Sequence, residues 1–231
     1  MIDDERPDLA SGQVPRPRSL PVLVLADVSG SMVQDHKIAT LNRAIETMVR
    51  TLRTFAAAES GHGDILLAVI TFGAAGAVLH QAPVPVSEIR WTDMSAGGRT
   101  PLGAALDLVR TVLEDSETIP GRGLHPTLVL VSDGIPTDDW QPAIKRLLAS
   151  TRGAEAVRLA VAVGAEAGNP SYRVLEAFVA DPAIPVVRAD EVDRLCDFFR
   201  WVTLGVTDRI RGGPSSELPT FDPDALYDLT D

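Results

Sequence analysis

The chain has 231 residues, 45% hydrophobic, 23% charged and 5% aromatic, which excludes wholesale disorder, collagen and a coiled-coil rod and suffices for one sizeable core. Its formal charge is -11, from 32 acidic and 21 basic residues, which speaks against a broad basic face for nucleic acid. No run of about 18 apolar residues marks a membrane span. The start, Met1-Ile2-Asp3-Asp4-Glu5-Arg6, lacks the apolar core of a signal peptide, so a cytoplasmic location is expected.

Residues 1–18 carry three prolines and seven charges without apolar periodicity, and read as a flexible arm. Leu20 to Ala26 is an unbroken apolar run of the kind buried on both faces of a parallel sheet. Ile38, Leu41, Ile45, Met48, Leu52 and Phe55 then recur at spacings of 3 and 4, which predicts an amphipathic helix. Ile65 to Phe72 is the next strand, and short β segments follow around Val78 to Gln81. Leu102, Leu106, Val109 and Leu113 mark a second helix before the strand Thr127 to Val131.

A helix is expected from Asp138 or Asp139 to about Ala149, then a strand over Val157 to Val163. Val174, Leu175 and Phe178 mark another helix, and a strand lies near Ile184 to Val187. The last helix runs from Asp190 to about Thr207 on Val192, Leu195, Phe199, Val202 and Val206. Residues 208–231, with six acids, two bases and several Gly and Pro, read as an acidic flexible tail. In its end, Phe221 to Asp231, apolar residues alternate with carboxylates, as in a solvated tail or a short docking peptide. Strands alternating with helices over 19–207 imply one α/β domain, doubly wound, with a mostly parallel central sheet covered by helices on both faces. Ligands of such sheets bind beyond the carboxyl ends of the strands.

Those ends carry oxygen ligands. In Asp27-Val28-Ser29-Gly30-Ser31 three oxygen-bearing side chains alternate along an extended segment. Asp133 ends another core strand in Ser132-Asp133-Gly134, and Thr100 opens a helix after Gly97-Gly98-Arg99. Hydroxyls mixed with carboxylates suit a hard divalent cation, Mg²⁺ first, with Mn²⁺ or Ca²⁺ as substitutes. The same Asp and Ser residues would also serve as helix caps without any metal. Magnesium takes about six oxygens, so this set leaves a position for a partner's carboxylate.

Asp27-x-Ser29-x-Ser31, Thr100 and Ser132-Asp133-Gly134 resemble the metal ion-dependent adhesion site (MIDAS) of von Willebrand factor A (VWA) domains, in the family's order. The resemblance covers about residues 19–206. Leu67 to Phe72, Thr100 to Leu106, Asp133 to Trp140 and Phe198 to Val202 are similar to bacterial TerY-like proteins, named from tellurite-resistance loci. It implies Ser29, Ser31 and Thr100 as hydroxyl ligands of Mg²⁺, with Asp27 and Asp133 bonding directly or through water. It also implies a cytoplasmic binding module in a bacterial stress-response or signalling system, whose partner offers an Asp or Glu carboxylate. A PP2C-type phosphatase or a Ser/Thr kinase-like protein would fit that role; nucleic acid and membrane would not.

Around this set, Arg99 is read either as a bidentate clamp for the incoming carboxylate or as a solvated loop residue. Asp138 and Asp139 before Trp140 are read as a helix cap or as a partner-binding rim, and Trp140 as core or anchor. His36, His62, His80 and His125 lack metal-pair spacing, and Cys196 is expected as a small buried apolar residue on a helix. Two other functions stay open: a Mg²⁺-dependent phosphohydrolase using Asp27, and a metal-free scaffold with a decayed site. The first lacks a second acid or base, a G-x-S-x-G elbow and a phosphate loop in this sequence.

Overall fold

The computed structural model describes residues 19–59, 63–120, 123–164, 170–189 and 192–212. The expected arm, His62 and the tail beyond residue 212 lie outside them. Six strands form one sheet: β1 (Ser19–Val28), β2 (Asp64–Gly73), β3 (Gly76–Pro85), β4 (Thr127–Ser132), β5 (Val157–Val163) and β6 (Val187–Ala189). Their order is β3-β2-β1-β4-β5-β6, and every neighbouring pair is parallel except β2 with β3. The doubly wound α/β architecture expected from the sequence is therefore the observed one.

Every residue of β1 is buried. Its even-numbered Leu20, Val22, Val24 and Ala26 pack under α1 (Lys37–Ala58) and α6 (Val192–Ile210). Leu23 and Leu25 face the other layer, made of α2 (Leu102–Glu114), α3 (Trp140–Ala149) and α5 (Pro170–Val179). That alternation is the period of two of a strand, and burying each such Leu or Val stabilises the fold by about 1.5–3 kcal/mol. Trp201 is a core residue at 3% exposure, packed on Phe198, while Trp91 and Trp140 are half-buried against the two layers. Cys196 is half-buried, and burial pushes its thiol up.

Four details differ from the sequence reading. The segments around Val78 to Gln81 belong to a ten-residue edge strand, β3, which tolerates Pro83 and Pro85 because one side of it needs no ladder partner. Val78 and Leu79 are adjacent yet both exposed, so the strand lacks the alternation that would have revealed its length. The strand expected near Ile184 starts only at Val187, because Ile184 N–H closes a turn onto the Asp181 carbonyl. A five-residue helix, α4 (Thr151–Glu155), follows α3, and Ser150 Oγ accepts from Gly153 N–H at its start.

The fourth is the end of α6, which continues past Thr207 to Ile210. There Arg209, 4% exposed, donates to Thr127 Oγ1 (2.7 Å) and to the His125 carbonyl (2.6 Å). This clasps the helix to the start of β4, the strand whose other end carries Asp133.

Candidate metal centre

The chain leaves β1 for β2 on one side and returns to β4 on the other, so the strand order reverses between β1 and β4. Ala26 pairs with Val131 at the end of this ladder, which sets Asp27 beside Ser132. Ser132 Oγ donates to Asp27 Oδ2 at 2.5 Å, and Ser29 N–H donates to Asp27 Oδ1 at 2.8 Å. Asp27 has no exposed surface. Burial pushes its carboxyl up, the hydrogen bonds from Ser132 and Ser29 pull it back, and the charge of Asp133 adds to the rise.

Ser29 is extended and precedes a 3₁₀ segment, Gly30–His36, but its side chain does not cap it. The Ser29 hydroxyl instead lies 3.0 Å from that of Ser31, and Ser31 Oγ donates to Asp133 Oδ1 at 2.6 Å. The helix-cap reading of this segment is thus not realised. The glycine-rich loop is fixed to it by main chain alone: Gly97 N–H donates to the Val28 carbonyl (2.7 Å) and Gly30 N–H to the Gly98 carbonyl (3.0 Å). Thr100 N–H donates to Thr137 Oγ1 (3.1 Å) and Thr137 N–H to the Thr100 carbonyl (2.9 Å), which joins this loop to the one after β4.

The result is convergence. A Cβ built on Gly134 would stand 3.6 Å from Thr100 Oγ1, 3.7 Å from Ser31 Oγ and 3.9 Å from Asp27 Oδ2. Three side-chain oxygens, two from the end of β1 and the segment after it and one from the glycine-rich loop, therefore face one small volume beside the loop after β4, with Ser29 and Asp133 hydrogen-bonded to the same cluster. Among the described residues no group of three or more His, Cys, Asp or Glu gathers to hold a metal. A centre built here is one of hydroxyls and two carboxylates, a donor set that fits a hard divalent cation.

Sequence reasoning missed Lys37. Asp35 and His36 adopt left-handed φ of 50° and 57°, a conformation unusual outside glycine though less so for Asp and His. They turn the chain so that α1 begins at Lys37, whose Nζ donates to Asp133 Oδ2 at 2.8 Å. A lysine in the first turn of a helix opposes the helix dipole, and that misplacement was the available signal that it has a partner elsewhere.

The four rim residues separate. Arg99 is exposed and has no hydrogen-bond or ion-pair partner among the described residues. Asp139 is exposed at the N-cap position of α3 without a side-chain cap bond. Asp138 serves neither as cap of its own helix nor as a free rim acid: its carboxylate accepts Gly103 N–H (2.9 Å) and Ala104 N–H (3.0 Å), capping α2 from outside. Trp140 packs on the core layer beneath α3. Two apolar side chains are exposed instead, Val33 at 60% and Ile135 at 55%, each two residues past a candidate ligand in sequence. Among the described residues no helix is long and apolar enough to cross a membrane.

Neither a family model nor a curated protein sequence matches the chain. Solved structures do match. The pilus adhesin SpaC from Lactobacillus rhamnosus GG, in its open conformation, aligns with a TM-score of 0.65 at 11% identity, over 86% of this chain and 31% of that one. Proximal thread matrix protein 1 from the mussel byssus, with a zinc-occupied MIDAS motif, aligns with a TM-score of 0.57 at 14% identity, over 83% and 48%. The ArnB paralog VWA2 from Sulfolobus acidocaldarius aligns with a TM-score of 0.55 at 14% identity, over 80% and 46%. The chain thus spans about a third to a half of these proteins and shares with them the VWA fold.

Proposed function

We propose that the chain is a divalent-metal-dependent protein-binding module whose ion is held by Ser29, Ser31, Thr100, Asp27 and Asp133 and completes its shell with a carboxylate from a partner. The convergence of Thr100 Oγ1, Ser31 Oγ and Asp27 Oδ2 on the volume beside Gly134 carries this reading. When bound, the ion supplies an electrophilic centre for an anionic oxygen. The chain's part is to hold the hydroxyls in place through main-chain bonds between the loops and the side-chain bonds of Asp133 and Thr137, and to present Val33 and Ile135 as apolar contacts beside them.

Mg²⁺ is the ion we favour, because the donors are all hard oxygens. The TerY-like subfamily, a PP2C-type phosphatase or Ser/Thr kinase-like partner, and the cytoplasm as compartment belong to the same proposal. They are supported by the sequence stretches that resemble that subfamily. The phosphohydrolase reading is less well supported, since the sequence has neither a G-x-S-x-G elbow nor a phosphate loop to place a substrate against Asp27.

The test is a pull-down with and without chelator, with Asp27→Ala as the control. Partner retention that survives both treatments rejects the module as metal-dependent.

A further inference from the structure

Among the described residues Lys37 is the lysine or arginine that pairs with a candidate ligand carboxylate. The pair is enclosed, with the Asp133 side chain 1% exposed and that of Lys37 17%. The lysine end is also confined on its far side: a Cβ on Gly164, just past β5, would stand 3.3 Å from its Cε and 3.4 Å from its Nζ. Asp133 divides its oxygens, Oδ2 to Lys37 and Oδ1 to Ser31. The ammonium therefore lies at the edge of the cluster, with Oδ1 on the side of the hydroxyls.

Counting charges gives this arrangement a meaning. Asp27 and Asp133 ionised contribute two negative charges and Lys37 one positive, so a divalent ion leaves the centre net positive. Without the lysine, the same ion would leave it neutral. We propose that Lys37 is a built-in counter-cation: it lowers the affinity of the centre for a divalent ion alone and leaves a loaded centre that is neutralised only by an incoming anion. Metal and acidic ligand then bind as a pair, each raising the affinity for the other by the same factor. The inference rests on the metal-binding reading above and adds the regulation of that site.

Titration calorimetry with Mn²⁺ tests it on wild type, Lys37→Met and Lys37→Arg, at one ionic strength set with sodium chloride or with sodium acetate as the carboxylate probe. In chloride, Lys37→Met should bind Mn²⁺ about tenfold tighter, as removal of one unit charge close to the ion implies, while Lys37→Arg stays near wild type. Acetate should raise the Mn²⁺ affinity of wild type and Lys37→Arg and do so clearly less in Lys37→Met. Removing the lysine takes the charge partner from a buried carboxylate and leaves it only the Ser31 bond, so the metal-free Met variant should melt lower than wild type. Melting temperature against Mn²⁺ concentration then supplies the affinity order even for a weakly folded variant.

Equal or weaker Mn²⁺ binding by Lys37→Met, or an undiminished acetate effect in it, overturns the counter-cation role while the metal site stands. Absence of Mn²⁺ binding by wild type overturns both, and is told apart because it appears before any variant is compared.

Discussion

Replacing Gly134 with alanine adds a single methyl group at the point on which the candidate ligands converge. Its three nearest neighbours would be the Thr100, Ser31 and Asp27 oxygens at 3.6, 3.7 and 3.9 Å, all ordinary van der Waals separations. Gly134 is not among the residues with positive φ, so alanine fits the backbone. In chelator the variant should be as stable as wild type or gain about 0.4–1 kcal/mol from its stiffer unfolded chain. With metal the outcome differs, because Mg²⁺ demands near-octahedral geometry and retains waters that need this volume. Mn²⁺ or Mg²⁺ affinity should drop at least about tenfold, or about 1.4 kcal/mol, as read by calorimetry beside thermal melts in chelator. Gly97→Ala is the control: a Cβ there meets nothing within 4 Å, and both stability and affinity should hold. Gly98→Ala is no control, since at φ +80° its methyl would overlap the Ala74 backbone. Unchanged metal affinity in Gly134→Ala would refute the placement of the ion among these three oxygens.

Three further outcomes are expected. Asp138→Ala uncaps the second and third residues of α2 and should cost about 1–2 kcal/mol, lowering the melting temperature by roughly 2–8 °C; a neutral result would return Asp138 to the rim. Burial raises the Asp27 pKa, so folding favours its protonated form, and the stability it lends at low pH is lost as pH rises out of the ordinary carboxylate range. In chelator at neutral pH, Asp27→Asn should therefore unfold at a denaturant concentration no lower than wild type, the gap closing on acidification while metal binding is abolished. Ala180 ends α5 with a φ of 53°, so Ala180→Gly should raise stability by about 0.5–1 kcal/mol in denaturant melts; a loss would show that the backbone there is not held left-handed.

The parallel layers were legible because Leu20 to Ala26 and Thr127 to Val131 are buried on both faces and spell that out as unbroken apolar runs. α1 and α2 were legible for the opposite reason: Leu41, Ile45, Met48 and Leu52, or Leu102, Leu106, Val109 and Leu113, bury one stripe only. β3 was partly hidden, since an edge strand with prolines obeys neither pattern. The candidate ligands stood out because strand ends concentrate at the switch point and alternation places Asp27, Ser29 and Ser31 together. Lys37 and the true role of Asp138 depend on contacts across 96 and 35 residues of sequence. No local periodicity encodes such pairings.

The bonds that hold the three loops to one another at Gly97 with Val28, Gly30 with Gly98 and Thr137 with Thr100 are made by peptide groups. Peptide groups survive substitution, so these contacts ask little of side chains beyond the glycines that let the loops approach, while Ser132, Thr137 and Asp138 add bonds that do depend on the residue. Val33, Arg99 and Ile135 project from that frame without supporting it. Exposed side chains can therefore change while these main-chain contacts continue to bring the loops together.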